Sequence, residues 1–248
     1  MISRFVAWNR RSARKLEMTY PVFFRAPSYK GELDRRIAAG ISSYSPAIIL
    51  EVGGIDRPLL QKSPAYTYIG LDIETQPSCE EIYDRFLVQS VEKPILVEAD
   101  MVISITLLEH VPNNTAATAS MFAALRPGGT THHYMPSKWH PYSIATRLVG
   151  PTLQRFLIRH LRPDDIAVTG YPTFFDKCSP GAMSALFQKQ GFVDVDVMAF
   201  YRASDYFAFF LPAFLAVAAF ENVCERLGLR LLASGFVISA RKASAEKL

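Results

Sequence analysis

The sequence predicts an α/β fold, a mostly parallel sheet with helices on both faces. Three observations carry this. Ile48-Ile49-Leu50-Glu51-Val52-Gly53-Gly54 is an apolar run too short for a helix and rich in β-branched residues, ending in an acid and two glycines. That reads as a buried strand breaking into a tight turn. A second strand, Tyr66–Ile73, contains Asp72, 19 residues beyond Gly53. Further apolar runs of strand length then alternate with stretches of helical size, the signature of βαβ units.

Each element has a local reason. Residues 31–43 read as a helix leading into the first strand. Glycine at positions 53 and 54 lets the backbone turn sharply and lie close to a ligand. A helix starting after such a turn would point its free N–H groups and positive dipole end into the crevice. An acid about 20 residues after a glycine turn is where nucleoside-binding α/β folds hydrogen-bond ribose hydroxyls. The plainer alternative for Asp72 is a strand-end acid that caps the next helix. A third strand lies within Ile82–Val91, and a fourth is Asp100–Ile105. A helix over Thr115–Leu125 stops at Arg126-Pro127-Gly128-Gly129, with glycine as its C-terminal cap. The fifth strand is Thr130–Met135, where of the neighbours His132 and His133 one faces in and one out, each in a packing role. Residues 136–175 form an insertion rich in aromatic and basic side chains. Ser179–Gln190 is a helix, and Phe192–Tyr201 and Gly235–Arg241 are the closing strands.

The 248 residues suit one domain over 31–248, preceded by a basic leader over 1–30. The three cysteines, Cys79, Cys178 and Cys224, lie far apart and form no metal-ligand spacing, which suits a reducing, cytoplasmic setting. A net charge of +4 is too small to imply nucleic acid. The charge is uneven: seven basic residues against Glu17 make residues 1–30 +6 and the remainder −2. Ile2, Phe5, Val6, Ala13 and Leu16 at helical spacing among arginines predict a basic amphipathic helix, against the alternative of a solvated leader. No apolar signal region follows the N-terminus.

Glu51-x-Gly53, Gly70-Leu71-Asp72-Ile73, Asp100-x-Val102-x-Ser104 with Leu108-Glu109-His110-Val111-Pro112, and Leu125-Arg126-Pro127-Gly128-Gly129 follow one another at characteristic distances. In this the stretch Ile48–Pro136 resembles class I S-adenosylmethionine-dependent methyltransferases of the type 11-like kind; the rest is similar in architecture only. The resemblance implies a Rossmann-like, seven-stranded sheet with an antiparallel last strand, and S-adenosyl-L-methionine as cofactor. By position, Glu51, Gly53 and Gly54 would face its methionine part and Asp72 its ribose. Ile73 would lie against adenine, Ser90 and Val91 at the adenine edge, and Ile105 and Thr106 beside the sulfonium. The chain departs from the family pattern at Ile55, where another glycine is usual, and at Ser90, where an acid is common. Ser104-Ile105-Thr106 lacks the acids that metal-using members place there, so no metal is expected.

Methyl transfer needs an aligned acceptor, a water-free site and, for a hydroxyl acceptor, a base. His110 and His140 follow the fourth and fifth strands, where ligands bind, and are the candidate bases. The expected acceptor is a small-molecule, glycan or lipid-linked oxygen entering through the insertion. Two rivals are a non-catalytic binding protein of the same fold, motivated by Ile55, and an NAD-dependent oxidoreductase, weakened by the missing Gly-x-Gly-x-x-Gly fingerprint. Tyr206–Phe220, within an apolar segment over 204–230, is uncharged but shorter than a membrane span and contains Pro212. It would pack on the sheet, cover a homodimer interface, or join the basic leader on a membrane surface.

Overall fold

The computed structural model describes residues 2–24, 27–44, 47–149 and 171–244. Its strands are β1 (Ala47–Val52), β2 (Tyr66–Asp72), β3 (Arg85–Val88), β4 (Ala99–Ile105), β5 (Leu125–Pro136), β6 (Phe192–Phe200) and β7 (Gly235–Lys242). Its helices are α1 (Ile2–Thr19), α2 (Pro21–Phe24), α3 (Tyr29–Ile41), α4 (Cys79–Ile82), α5 (Asn114–Ala124), α6 (Pro180–Lys189) and α7 (Leu211–Arg226); residues 141–149 are also helical. The strands form one sheet of order β3-β2-β1-β4-β5-β7-β6, parallel through β5, with the last strand antiparallel. The chain steps outward from β1 to β3 and returns with β4 on the other side. The switch point therefore lies between β1 and β4, with its crevice at their carboxyl ends. β1 has a neighbour on each side and buries five of its six residues, so its run is apolar on both faces.

The chain divides into two compact units, residues 28–135, 174–198 and 236–248 in one, and residues 1–27, 136–173 and 199–235 in the other. The first holds the large core, in which Leu50, Leu71, Val102, Met121, Phe187 and Phe236 meet. Asn113 caps α5, its side-chain oxygen accepting from the backbone N–H groups of Thr115 and Ala116 at 3.1 Å.

Three local expectations are corrected. No helix follows the glycine turn; residues 53–65 are irregular. Pro58 and Pro64 interrupt this stretch. The N–H of Leu59 donates to Glu51 and that of Leu60 to Tyr68, so tertiary acceptors replace helical carbonyls. Gly128 does not cap α5, because Leu125 is already extended and starts β5. The register jumps from Ala99↔Leu125 to Met101↔Thr130, making Arg126–Gly129 a bulge. Gly128 has φ +86° and Gly129 lies where a Cβ would meet two carbonyls at 3.0 Å. His132 and His133 point to opposite faces, yet both are buried because β5 is interior. His133 pairs with Ser104 at 2.7 Å and His132 with Ser239 at 2.8 Å. Burial pulls their pKa values down to about 3 and about 4, with Arg36 adding to the effect on His132.

The second unit is built on α7. Pro212 sits in its first turn and starts the helix rather than breaking it. The Leu211 N–H donates to Asn9 Oδ1 of α1 at 2.8 Å. Phe24 stacks on Phe214 with centroids 5.2 Å apart, and Asn222 donates to the Phe23 carbonyl at 3.0 Å. The basic leader is thus an ordered amphipathic helix, with Val6, Asn9 and Ala13 buried. No helix among the described residues is long and apolar enough to cross a membrane.

Candidate functional site

The crevice at the β1–β4 switch point is framed by the loops that follow β1, β2, β3 and β4, all in the first unit. Gly53 makes the turn at φ +85°, its N–H donating to the Leu71 carbonyl at 2.8 Å. A Cβ there would lie 2.9 Å from Leu107, so the loops after β1 and β4 touch at this glycine. Thr106 follows β4 with φ +49°, unusual for a β-branched residue, and its N–H donates to the Tyr134 carbonyl at 2.9 Å. It is exposed, and Ile105 is half-buried.

Glu51 lies beneath the turn, 1 % exposed. Its carboxylate accepts from Tyr68 Oη, from Tyr83 Oη at 3.0 Å and from the Leu59 N–H at 3.2 Å. Burial pushes its pKa up to about 7, opposed by the hydrogen bonds from Tyr68 and Tyr83. Neither Tyr68 nor Tyr83 stands out in the sequence. Two buried tyrosines around a buried acid leave no local spacing signal, because Tyr68 lies on β2 and Tyr83 beside α4. The backbone of Gly54 rests on this group: a Cβ would fall 2.3 Å from Tyr83 Oη and 2.6 Å from Glu51 Cδ. Gly54→Ala is therefore expected to destabilise the fold by about 2 kcal/mol through overpacking, read as a lower urea midpoint with unchanged slope.

Asp72 ends β2, half-buried, with Oδ1 accepting from the Glu74 N–H at 3.1 Å. Burial raises its pKa, while the backbone N–H of Glu74 acts against the shift. Beside it Ile73 is 63 % exposed, and Val88, the register partner of Asp72 on β3, is 59 % exposed. Ser90 closes a turn, its hydroxyl accepting from the Glu92 N–H and donating to the Glu92 carboxylate, both at 3.2 Å. Glu92 also accepts from the Asn113 N–H at 2.9 Å, tying the loop after β3 to the loop after β4. Val91 is buried in the core.

Glu109 and His110 follow β4. The Glu109 carbonyl accepts from the N–H groups of Phe174 and Phe175 at 2.8 and 3.0 Å. Its carboxyl is buried, with Oε2 lacking a hydrogen-bond partner among the described residues, and burial pushes its pKa up to about 8. His110 is partly exposed, with Nε2 3.8 Å from Glu109 Oε1. His140 belongs to the second unit and is buried there. Its Nδ1 accepts from the Tyr142 N–H at 3.3 Å, and its Nε2 lies 3.2 Å from Glu221 Oε1. The described residues contain no cluster of three or more potential metal ligands.

No protein-family model matches the sequence, and no curated protein matches it. Solved structures do. The CurJ carbon methyltransferase superposes with a TM-score of 0.53 at 15 % identity, over 87 % of this chain and 54 % of its own. Phosphoethanolamine N-methyltransferase 2 of Haemonchus contortus, in complex with phosphomonomethylethanolamine and S-adenosylhomocysteine, gives 0.52 at 13 % identity, over 98 % and 60 %. The [4+2]-cyclase SpnF gives 0.52 at 14 % identity, over 86 % and 81 %. The chain thus spans little more than half the length of the first two. At these identities the likeness is one of fold, and a fold can host several chemistries. With its strand order, antiparallel closing strand and these structural neighbours, the chain adopts the fold of class I S-adenosylmethionine-dependent methyltransferases.

Proposed function

We propose that the chain transfers a methyl group from S-adenosylmethionine to an oxygen of a small-molecule, glycan or lipid-linked acceptor, without a metal. The observation that carries this is the surface at the end of β2. A half-buried carboxylate, Asp72, is followed by the exposed Ile73 and pairs in register with the exposed Val88. A nucleoside supplies what this surface lacks, a diol for the acid and a flat ring to cover the apolar pair. S-adenosylmethionine brings an electrophilic methyl group on a positively charged sulfur. In this reading Asp72 holds the ribose and Ile73 packs against adenine, with Ser90 at its edge. Gly53 and Gly54 give the methionine part a close backbone approach. Ile105 and Thr106 border the reacting centre and His110 accepts the acceptor's proton. Glu51 supports the turn from below, since its oxygens already face Tyr68, Tyr83 and Leu59.

One observation favours a second reading, a binding protein of the same fold without turnover. The glycine turn is followed by no helix, so the dipole and free N–H groups of a helix start are missing there. Calorimetric titration with S-adenosylmethionine, S-adenosylhomocysteine and NAD separates the readings, with turnover scored by mass spectrometry of candidate acceptors. Asp72→Ala is expected to weaken S-adenosylhomocysteine binding by about 1–3 kcal/mol and leave the fold intact. Equal affinity in the variant overturns the ribose assignment.

A further inference from the structure

The outward face of α1 has a composition that solvent exposure alone does not account for. Val6, Asn9 and Ala13 turn inward, and the Asn9 side chain is committed to α7. On the opposite side Arg4, Arg11, Arg14 and Lys15 are exposed. Among them Trp8 is 57 % exposed, Met18 76 % and, on the flank, Phe5 52 %. At 100° per residue, Arg4, Trp8, Arg11, Lys15 and Met18 fall on one stripe. The chain then turns into α2, whose Val22 is 95 % exposed. A solvated helix face carries charges without a tryptophan and a methionine at its centre, and a second packing face would not carry four cations.

We propose that this face of α1, continued by Val22 at the start of α2, docks flat on an anionic lipid surface. The cations meet lipid headgroups, each contributing about 1 kcal/mol near a charged bilayer. Trp8 sits at headgroup level, where an amphipathic ring is favoured, and Phe5, Met18 and Val22 enter the acyl boundary. The helix lies in the interface plane and does not span it. A nucleic acid would use the same cations but gain nothing from Met18 or Val22, so the apolar content favours lipid. The proposal stands apart from the methyl-transfer reading, because it concerns a surface of the second unit and is read without cofactor.

The test uses the full chain in flotation with vesicles of phosphatidylcholine alone and of phosphatidylcholine with phosphatidylglycerol. Trp8 emission is followed in a Trp139→Phe background. Binding to the anionic vesicles only, with a blue shift of Trp8, is expected. Replacing Arg4, Arg11 and Lys15 together by Gln is expected to lower the partition coefficient by roughly 100-fold, about fivefold per cation. Trp8→Ser with Val22→Ser should also lower it, while the thermal melt and S-adenosylhomocysteine binding stay unchanged; these positions face outward. No binding to anionic vesicles overturns the proposal, as does binding that these substitutions leave intact. Two other results also overturn it in the absence of vesicle binding. One is a single-stranded oligonucleotide captured by the same cations. The other is a dimer in sedimentation velocity that Trp8→Ser dissociates.

Discussion

Glu221→Ala is expected to cost roughly 3 kcal/mol of stability or more, the loss typical of removing one member of a buried polar pair. Glu221 and His140 are each about 1 % exposed, with Oε1 and Nε2 3.2 Å apart. The same Oε1 accepts from the Ala203 N–H at 2.6 Å. Removing the carboxylate strands the imidazole and a backbone donor, both out of reach of water. Glu221→Gln keeps the volume and one acceptor, so its loss should be smaller. Urea unfolding monitored by circular dichroism measures both. The same experiment bears on His140 as a base. If His140→Gln loses stability but retains methyl transfer per folded molecule, His140 positions α7 and is not the proton acceptor. If both variants are as stable as the parent, the pair holds nothing together.

Stability is expected to fall by roughly 2 kcal/mol between pH 6.5 and 8, opposite to the usual behaviour of salt-bridged carboxylates. In the folded chain Glu51 titrates at about 7 and Glu109 at about 8, both raised from 4.5 chiefly by burial. Between 4.5 and those values the folded state keeps protons that the unfolded state has lost, so stability declines as pH rises. His132 and His133 act the other way. Their pKa values drop from 6.5 to about 4 and about 3, so below pH 6.5 the unfolded state takes up protons the folded state refuses, and stability grows with pH. From about 4.5 to 6.5 the two acids and the two histidines oppose each other and the curve is flat. Above 6.5 only the acids remain, at about 1.4 kcal/mol per pH unit for each group still protonated. Urea midpoints at pH 5.5, 6.5 and 8 test this. A midpoint that rises toward pH 8 contradicts the burial of the two acids, and Glu109→Gln should flatten the stretch between 7 and 8.

Most strands were legible in the sequence because the sheet is central and mostly parallel. A strand covered on both faces is mostly apolar, and β1 and β4, with single acids at Glu51 and Asp100, carry such runs. The position of Asp72 at the carboxyl end of β2 was legible as well, since the apolar run of that strand stops there. The amphipathic period of α1 was legible in part: Val6 and Ala13 turn inward as their spacing requires, while Phe5 of the same set is 52 % exposed.

What the sequence could not show is what long-range partners do to local preference. Residues 53–65 stay irregular because Glu51 and Tyr68, held by β1 and β2, capture the N–H groups of Leu59 and Leu60. Gly128 and Gly129 look like a helix cap, yet pairing with β4 draws Leu125 into the strand and turns them into a bulge. Glu51 looks like a ligand-facing acid, but two tyrosines that converge on it only in the folded state leave it beneath the turn. His140 looks like a free base beyond the fifth strand until α7, about 80 residues later, brings Glu221 against it. Hydrophobic period and turn chemistry are local and survive in the sequence. The partners of buried polar groups come from distant segments, and only the tertiary structure decides them.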